Sequence, residues 1–333
     1  MKVGFLGSGA WGMALIDLLL QNGHEVLLWT IEPEVVRSLN EDKIHPRFPK
    51  RKIDARLQAT ASLKEVLTLG CEALVECVTA KGLRPVCEQI KQNGGVSVPF
   101  VITSKGIEQD TLLFLPQVAQ DVLGEQIDQQ LGYLSGPTLA HEVDEGEMTG
   151  AVGASANARV RDVLVTLFHS ETFRVFPHHD VLGVGLGGAL KNVIAIASGI
   201  LTGLGCGMNT KALLLTMGLQ EMIAIADRMG ISKKTCVSLA GVGDLLVTGL
   251  SPLSRNFRFG ELVGKGLDAQ QAKDKIRMVV EGEYTVQSVM QLGKKWDISL
   301  PVTELVYDII IQKQPSRERF RHLSDNVLVN AFS

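Results

Sequence analysis

Two hydrophobic periods divide this chain. Up to about Pro177, short apolar runs rich in β-branched residues alternate with stretches of helical spacing. Residues 3–6, 25–29, 73–78, 100–103, 131–134, 150–154 and 173–176 predict strands, with a weaker one near Leu57. Helices fill the gaps: residues 13–21 form an apolar run without proline, Pro33 suits a first helical turn, and Ser62-Leu63-Lys64-Glu65 predicts a capping box. Repeated βα units imply a mostly parallel sheet covered on both faces, with ligands bound beyond the carboxyl ends of its strands.

After His178-His179-Asp180 the strand signal ends. Helical periodicity continues through residues 181–204, 210–229, 235–248, 269–280, 285–294 and 302–312. The expected architecture is α/β: an N-terminal Rossmann-type, mostly parallel sheet over residues 1–179, which binds a dinucleotide, and a C-terminal all-helical domain over 180–333, which supplies substrate binding and catalysis. The cleft between two such domains is the expected site. The longest apolar stretches, 193–204 and 212–225, are interrupted by Ser, Gly, Thr, Gln and Glu before a membrane-spanning length accumulates, so they read as buried helices without stable membrane insertion.

Length and composition add three limits. A chain of 333 residues exceeds the size at which one core stops growing, consistent with two domains. Its 33 basic and 36 acidic residues leave a net charge of −3, with no general pull toward nucleic acid or anionic membrane. The five cysteines (Cys71, Cys77, Cys87, Cys206, Cys236) are odd in number and contain no C-x-x-C, which indicates neither a disulfide framework nor a metal site. Met1-Lys2 leads straight into the first strand, with no room for a signal peptide, so a reducing, cytoplasmic location is expected.

The most informative motif is G-S-G-A-W-G, residues 7–12. Gly7 permits the tight turn out of the strand, Gly9 lets backbone approach a pyrophosphate, and Gly12 lets the new helix pack on the sheet. The phosphates then meet the free N–H groups at the helix start. Because 34 glycines scatter such patterns by chance, the weight falls on the context of strand before and helix after.

Four further clusters carry candidate chemistry. Lys105, in T-S-K-G, follows a strand of the parallel sheet, where an ammonium meets a phosphate or a carbonyl; a solvated loop lysine is the alternative. Ser135-Gly136-Pro137-Thr138-Leu139-Ala140 offers a hydroxyl and backbone N–H groups at another strand end, or is a simple turn. Lys191-Asn192 sits in an apolar, small-residue helix. Burial there pushes a lysine toward its neutral form, as proton transfer near neutral pH requires, unless it is structural. The fourth runs from Gly241 to Gly260. Asp244 supplies a carboxylate, while Ser254, Arg255 and Asn256 supply a hydroxyl, a guanidinium fork and an amide suited to a phosphomonoester; a basic loop touching nucleic acid is the competing view.

Taken together and in order, G-S-G-A-W-G, T-S-K-G-I-E, L-S-G-P-T-L-A-H-E, A-L-K-N-V-I-A-I-A-S-G, G-V-G-D-L and L-S-R-N-F-R-F-G closely resemble the NAD(P)-dependent glycerol-3-phosphate dehydrogenases of the bacterial type. The resemblance implies reversible reduction of dihydroxyacetone phosphate to sn-glycerol 3-phosphate, a glycerophospholipid precursor, with NAD or NADP as cofactor. It puts Lys191 at the catalytic acid/base position; a mechanism built on that expects Asp244 to orient the lysine and Asn192 to help hold it. Lys105, Gly136, Thr138, Lys191, Asp244, Ser254, Arg255 and Asn256 fall on substrate positions. Gly7, Gly9, Ala10, Trp11, Gly12, Lys105, Ala140, Arg255, Val279 and Glu281 fall on cofactor positions. A homodimer is implied by resemblance alone.

The chain departs from the family pattern in places. Thr30-Ile31-Glu32 stands where many members carry Arg or His, and a carboxylate at Glu32 would bond a ribose 2′-OH and repel a 2′-phosphate, leaning toward NAD. The nearby basic run Lys43, His45, Arg47, Lys50, Arg51 and Lys52 pulls toward NADP. Cys77-Val78-Thr79-Ala80-Lys81 replaces the usual V-P-S-Q-A, and Phe48 replaces a commoner tyrosine. Two rival readings stay open: a related β-hydroxyacid-type dehydrogenase acting on a carboxylate, and a dinucleotide-sensing protein with no turnover.

Overall fold

A computed structural model describes residues 1–326. The chain forms two compact units: Met1–Ser104 with Leu115–Val181, and Lys105–Phe114 with the chain from Leu182 onward.

The first unit holds one sheet of eight strands: β1 (Lys2–Leu6), β2 (Glu25–Trp29), β3 (Gln58–Thr60), β4 (Ala73–Glu76), β5 (Phe100–Ile102), β6 (Leu131–Ser135), β7 (Thr149–Ala154) and β8 (Phe173–His178). Their order is β3-β2-β1-β4-β5-β6-β7-β8. The first six are mutually parallel and connected through α1 (Ala10–Gln21), α2 (Pro33–Glu41), α3 (Leu63–Thr68), α4 (Ala80–Gln92) and α5 (Leu115–Leu123). Between β6 and β7 lies only α6 (Ala140–Asp144). A helix of 5 residues advances the chain by about 7.5 Å, too little to return it to the start of the sheet, so β7 pairs antiparallel. β8 then pairs parallel to β7 through α7 (Ala158–Phe168).

β4, β5 and β6 are buried throughout, which explains their near-continuous apolar sequences. The single charge among them is Glu76. The Ser62 cap forms, its side chain accepting from the Glu65 N–H, but the box does not close. Thr60 Oγ1 takes both outstanding roles, accepting the Ser62 N–H at 3.0 Å and donating to the Glu65 carboxylate at 2.6 Å.

The second unit is helical: α8 (Val181–Gly203), α9 (Met208–Arg228), α10 (Lys233–Cys236), α11 (Asp244–Leu250), α12 (Arg255–Gly264), α13 (Ala269–Ile276), α14 (Glu281–Trp296), α15 (Pro301–Ile310) and α16 (Ser316–Asn326). α8 is its axis. It is long and apolar enough to cross a membrane, but its most apolar stretch is wholly buried in the protein, among Leu214, Met222, Phe259 and Val286. α12 crosses α8 in backbone contact: a Cβ on Gly199 would lie 2.0 Å from the Phe257 carbonyl oxygen.

The helix expected over 235–248 is three pieces, α10, a π-helical turn Leu239–Gly243, and α11. Ser238 interrupts it, leaving helical geometry and capping the next turn through the Ala240 N–H. The helix expected to reach residue 280 stops at Ile276, where Arg277 adopts a left-handed φ of 54°. Residues 105–114 turn back on themselves, bridging Ile107 to Phe114, and bury both side chains in the helical core.

Candidate functional site

In the first unit the fingerprint forms the turn between β1 and α1. Gly7 has φ +112°, and a Cβ there would lie 2.4 Å from the Cys77 carbonyl oxygen, so only glycine is accommodated. Gly12 packs against the Gly7 carbonyl, while a Cβ on Gly9 would meet nothing within 4 Å. Gly9 is the N-cap of α1 and offers no side-chain cap, so the first-turn N–H groups, those of Ala10 and Trp11 among them, have no intrahelical acceptor at the helix start. The Trp11 indole N–H is buried without a hydrogen-bond partner among the described residues. This open, donor-lined turn fits a dinucleotide pyrophosphate.

Glu32 is the N-cap of α2, but its carboxylate makes no cap bond. Instead it accepts Arg47 Nη1 at 2.8 Å, and Arg47 Nη2 donates to Ser8 Oγ of the fingerprint at 3.2 Å. The pair is open to solvent, with side chains 32% and 48% exposed. Arg51 is engaged elsewhere, donating to Asp17 at 2.6 Å and to Asp144 at 2.7 Å, so of the basic run it is Arg47 that stands beside Glu32. Gly136 lies against the backbone of Gly150 and Ala151, Thr138 Oγ1 donates to the Gly136 carbonyl at 3.1 Å, and Ala140 opens α6.

The helical unit gathers the charged candidates. Gly187 of α8 sits where a Cβ would be 2.4 Å from the Ala240 carbonyl oxygen, so α8 and the π-turn touch through backbone. One helical turn further along each, Lys191 meets Asp244. Asp244 is fully buried and Lys191 is 7% exposed. Lys191 Nζ donates to Asp244 Oδ1 and, at 2.9 Å, to Thr248 Oγ1. Lys105 Nζ donates to the other oxygen, Oδ2, at 2.6 Å. One carboxylate thus bridges two ammonium groups. Burial, and secondarily the Lys105 charge, lower the Lys191 pKa to about 7 against the opposing pull of Asp244.

The Asn192 side chain bonds on another side of α8. Consecutive helical residues project about 100° apart, so Lys191 and Asn192 cannot both face Asp244. Asn192 Oδ1 accepts Asn256 Nδ2 at 2.9 Å, and Asn256 Oδ1 accepts the Gly282 N–H at 3.0 Å, tying α8, α12 and α14 together beside Glu281. Thr248 is the neutral side chain that bonds Lys191. Sequence reading missed it, although its position one turn after Asp244 on the same helix was the available signal. Ser254 caps α12 by accepting the Phe257 N–H at 3.3 Å and retains its own O–H as a donor; Arg255 beside it is exposed, as is Val279 just before α14.

A Rossmann unit with a complete phosphate turn, joined to a helical unit holding a buried lysine on a carboxylate, defines a nicotinamide-dependent dehydrogenase. Comparison with known proteins narrows the class. The model for the N-terminus of the NAD-dependent glycerol-3-phosphate dehydrogenases matches residues 2–161, and that for the C-terminus matches 180–321. The glycerol-3-phosphate dehydrogenase (NAD(P)+) of Protochlamydia amoebophila is 45% identical over 309 residues, covering 93% of this chain and 92% of its own. That of Chlamydia pneumoniae is 45% identical over 316 residues, 95% and 94% of the two chains. Among solved structures, the crystal structure of glycerol-3-phosphate dehydrogenase from Coxiella burnetii matches with TM-score 0.92 at 31% identity, covering 98% of this chain and 99% of that one. The chain belongs to the NAD-dependent glycerol-3-phosphate dehydrogenase family. Neither the carboxylate-substrate dehydrogenase nor the non-catalytic sensor is favoured by these matches.

Proposed function

We propose that the protein reversibly reduces dihydroxyacetone phosphate to sn-glycerol 3-phosphate with NADH or NADPH, supplying glycerophospholipid synthesis. The observation that carries this reading is the buried Lys191–Asp244–Lys105 cluster, a lysine brought to neutral titration in a family of this activity. When bound, the reduced nicotinamide supplies hydride to C2 of the ketone.

Lys191 gives its ammonium proton to the C2 oxygen as negative charge develops there, and takes it back in the reverse direction. A pKa near the working pH serves both. Asp244 and Thr248 fix the direction of the Nζ–H bonds, so one hydrogen remains for substrate after two are committed to these partners. Lys105 adds a second positive charge for the developing alkoxide. Ser254, Arg255 and the second N–H of Asn256, with the first-turn amides of α12, bind the phosphate and set the carbonyl within reach of Lys191. Gly136 and Thr138 complete the substrate contacts. Ala140, Val279 and Glu281 complete those of the cofactor.

In the dinucleotide site Glu32 accepts a ribose hydroxyl while Arg47 neutralises it, which gives a preference for NADH with NADPH still usable. Incubation of the purified protein with dihydroxyacetone phosphate and either reduced nicotinamide, followed by loss of nicotinamide absorbance, tests the reading. Oxidation that requires the phosphorylated ketone supports it, and equal activity on a carboxylate ketone overturns it. The family resemblance supports a cytoplasmic enzyme and a homodimer, and sedimentation measures the latter directly.

A further inference from the structure

Glu76, the last residue of β4, is a fully buried carboxyl group with no part in the chemistry above. It lies between β1 and β5, paired with Leu6 and Ile102. The strand by itself calls for an apolar side chain there, since strands of a parallel sheet buried on both faces are near-continuously apolar. What the carboxyl group adds is a set of hydrogen bonds between two turns at the carboxyl edge of the sheet. Its Oε1 accepts the Val78 N–H at 2.7 Å, from the turn after β4, and the Ser104 hydroxyl, from the turn after β5. The Glu76 carbonyl accepts both the N–H of Thr103, at 3.0 Å, and its hydroxyl, at 2.8 Å. Tyr133 from β6 donates its O–H to the Ser104 carbonyl at 2.5 Å. Ser104 is therefore held by side chain and by carbonyl, and the next residue along the chain is Lys105.

We propose that Glu76 is a positioning residue for the dehydrogenase reaction: through Ser104 it fixes the peptide from which Lys105 reaches Asp244. The inference rests on the reading of Lys105, Asp244 and Lys191 given above. Glu76 touches neither the reacting groups nor Asp244, and acts by removing freedom from the chain immediately before Lys105. The charged groups that act on Lys191 are Asp244 of α11 and Lys105 of the 105–114 segment. Asp244 raises its pKa and Lys105 lowers it. Loosening Lys105 therefore raises the pKa of Lys191 and moves to higher pH the point at which ketone reduction fails for want of a proton.

The test uses full-length Glu76→Val, Glu76→Gln and Ser104→Ala variants, and the Glu76→Val/Ser104→Ala pair, with kcat/KM for dihydroxyacetone phosphate reduction measured across the neutral pH range beside thermal midpoints. Valine keeps the strand and discards the hydrogen bonds to the Val78 N–H and the Ser104 hydroxyl, so Glu76→Val should melt below the wild type and lose about tenfold in kcat/KM, within the scale of positioning effects. Ser104→Ala, the milder change should valine disturb folding, should lose a similar factor. Both should shift the falling limb to higher pH. Glutamine keeps an Oε1 acceptor and should restore most of the activity. The double variant should be no worse than Glu76→Val alone. Wild-type kcat/KM and an unmoved limb in Glu76→Val and Ser104→Ala would overturn the proposal, as would a Glu76→Gln variant as impaired as Glu76→Val. Absence of turnover in the wild type removes the functional reading and this inference together; full turnover in the variants removes only this inference.

Discussion

The two units each place a basic group on a carboxylate, in opposite surroundings. Arg47 and Glu32 meet with side chains 48% and 32% exposed, whereas Lys191 and Lys105 share Asp244 at 9%, 13% and 0%. An exposed pair contributes about 1 kcal/mol or less and is readily exchanged for another partner. A buried one cannot be half-dismantled, because removing one member leaves a desolvated charge and costs about 3–5 kcal/mol. The contrast separates two tasks. The exposed pair suits adaptation to alternative ligands, and the buried cluster suits setting one proton affinity.

Breaking the buried cluster should have the largest effects. Lys191→Ala should lower kcat by about 10²-fold or more while leaving NADH affinity, measured by fluorescence titration, little changed. Wild-type turnover in that variant would show that the cluster is structural. Asp244→Asn removes the group that raises the Lys191 pKa and leaves Lys105 facing it. Its pH profile for ketone reduction should fall at lower pH than that of the wild type, with kcat at neutral pH reduced by about tenfold, since each pKa unit below the working pH costs about a factor of ten in protonated lysine. A fall at higher pH would contradict the assigned roles.

Smaller effects should follow at the exposed groups. Arg255→Ala should raise KM for dihydroxyacetone phosphate by about 10-fold or more, the scale of one lost charge-assisted contact, and hardly affect a ketone that lacks the phosphate. Equal losses on both ketones would assign Arg255 another task. Smallest of all, Glu32→Ala should narrow the preference for NADH over NADPH, and Arg47→Ala should widen it. Binding titrations of the two reduced cofactors measure both, and a wild-type preference for NADPH would mean that Arg47 outweighs Glu32.

The strands were legible because burial on both faces writes a parallel strand as an apolar run, as in residues 100–103 and 131–134. The same logic reaches its limit at residues 235–248. The apolar period there is continuous, but the backbone breaks where the Ser238 side chain competes for N–H groups, a local hydrogen-bond choice that periodicity does not carry. Arg255–Gly264 reads as a motif because its charged and small residues are dense, yet those small residues are what lets α12 touch α8. Lys191, Asp244 and Arg255 stood out as chemically costly or unusual residues in their segments. Their partners did not: Thr248, the Asn192–Asn256 bond, the Arg47–Glu32 pair and Glu76 with Ser104 depend on contacts between distant segments or on helical phase.

The proposed mechanism makes Lys191 the group that delivers the proton. Its most direct test is the pH dependence of kcat for dihydroxyacetone phosphate reduction in the wild type and in Lys191→Arg, whose guanidinium stays charged throughout. Proton delivery by Lys191 gives a wild-type rate that falls as pH rises through about 7, and a slow variant in which that fall is absent. A variant that keeps wild-type turnover, or one whose rate still falls at the wild-type pH, would contradict it.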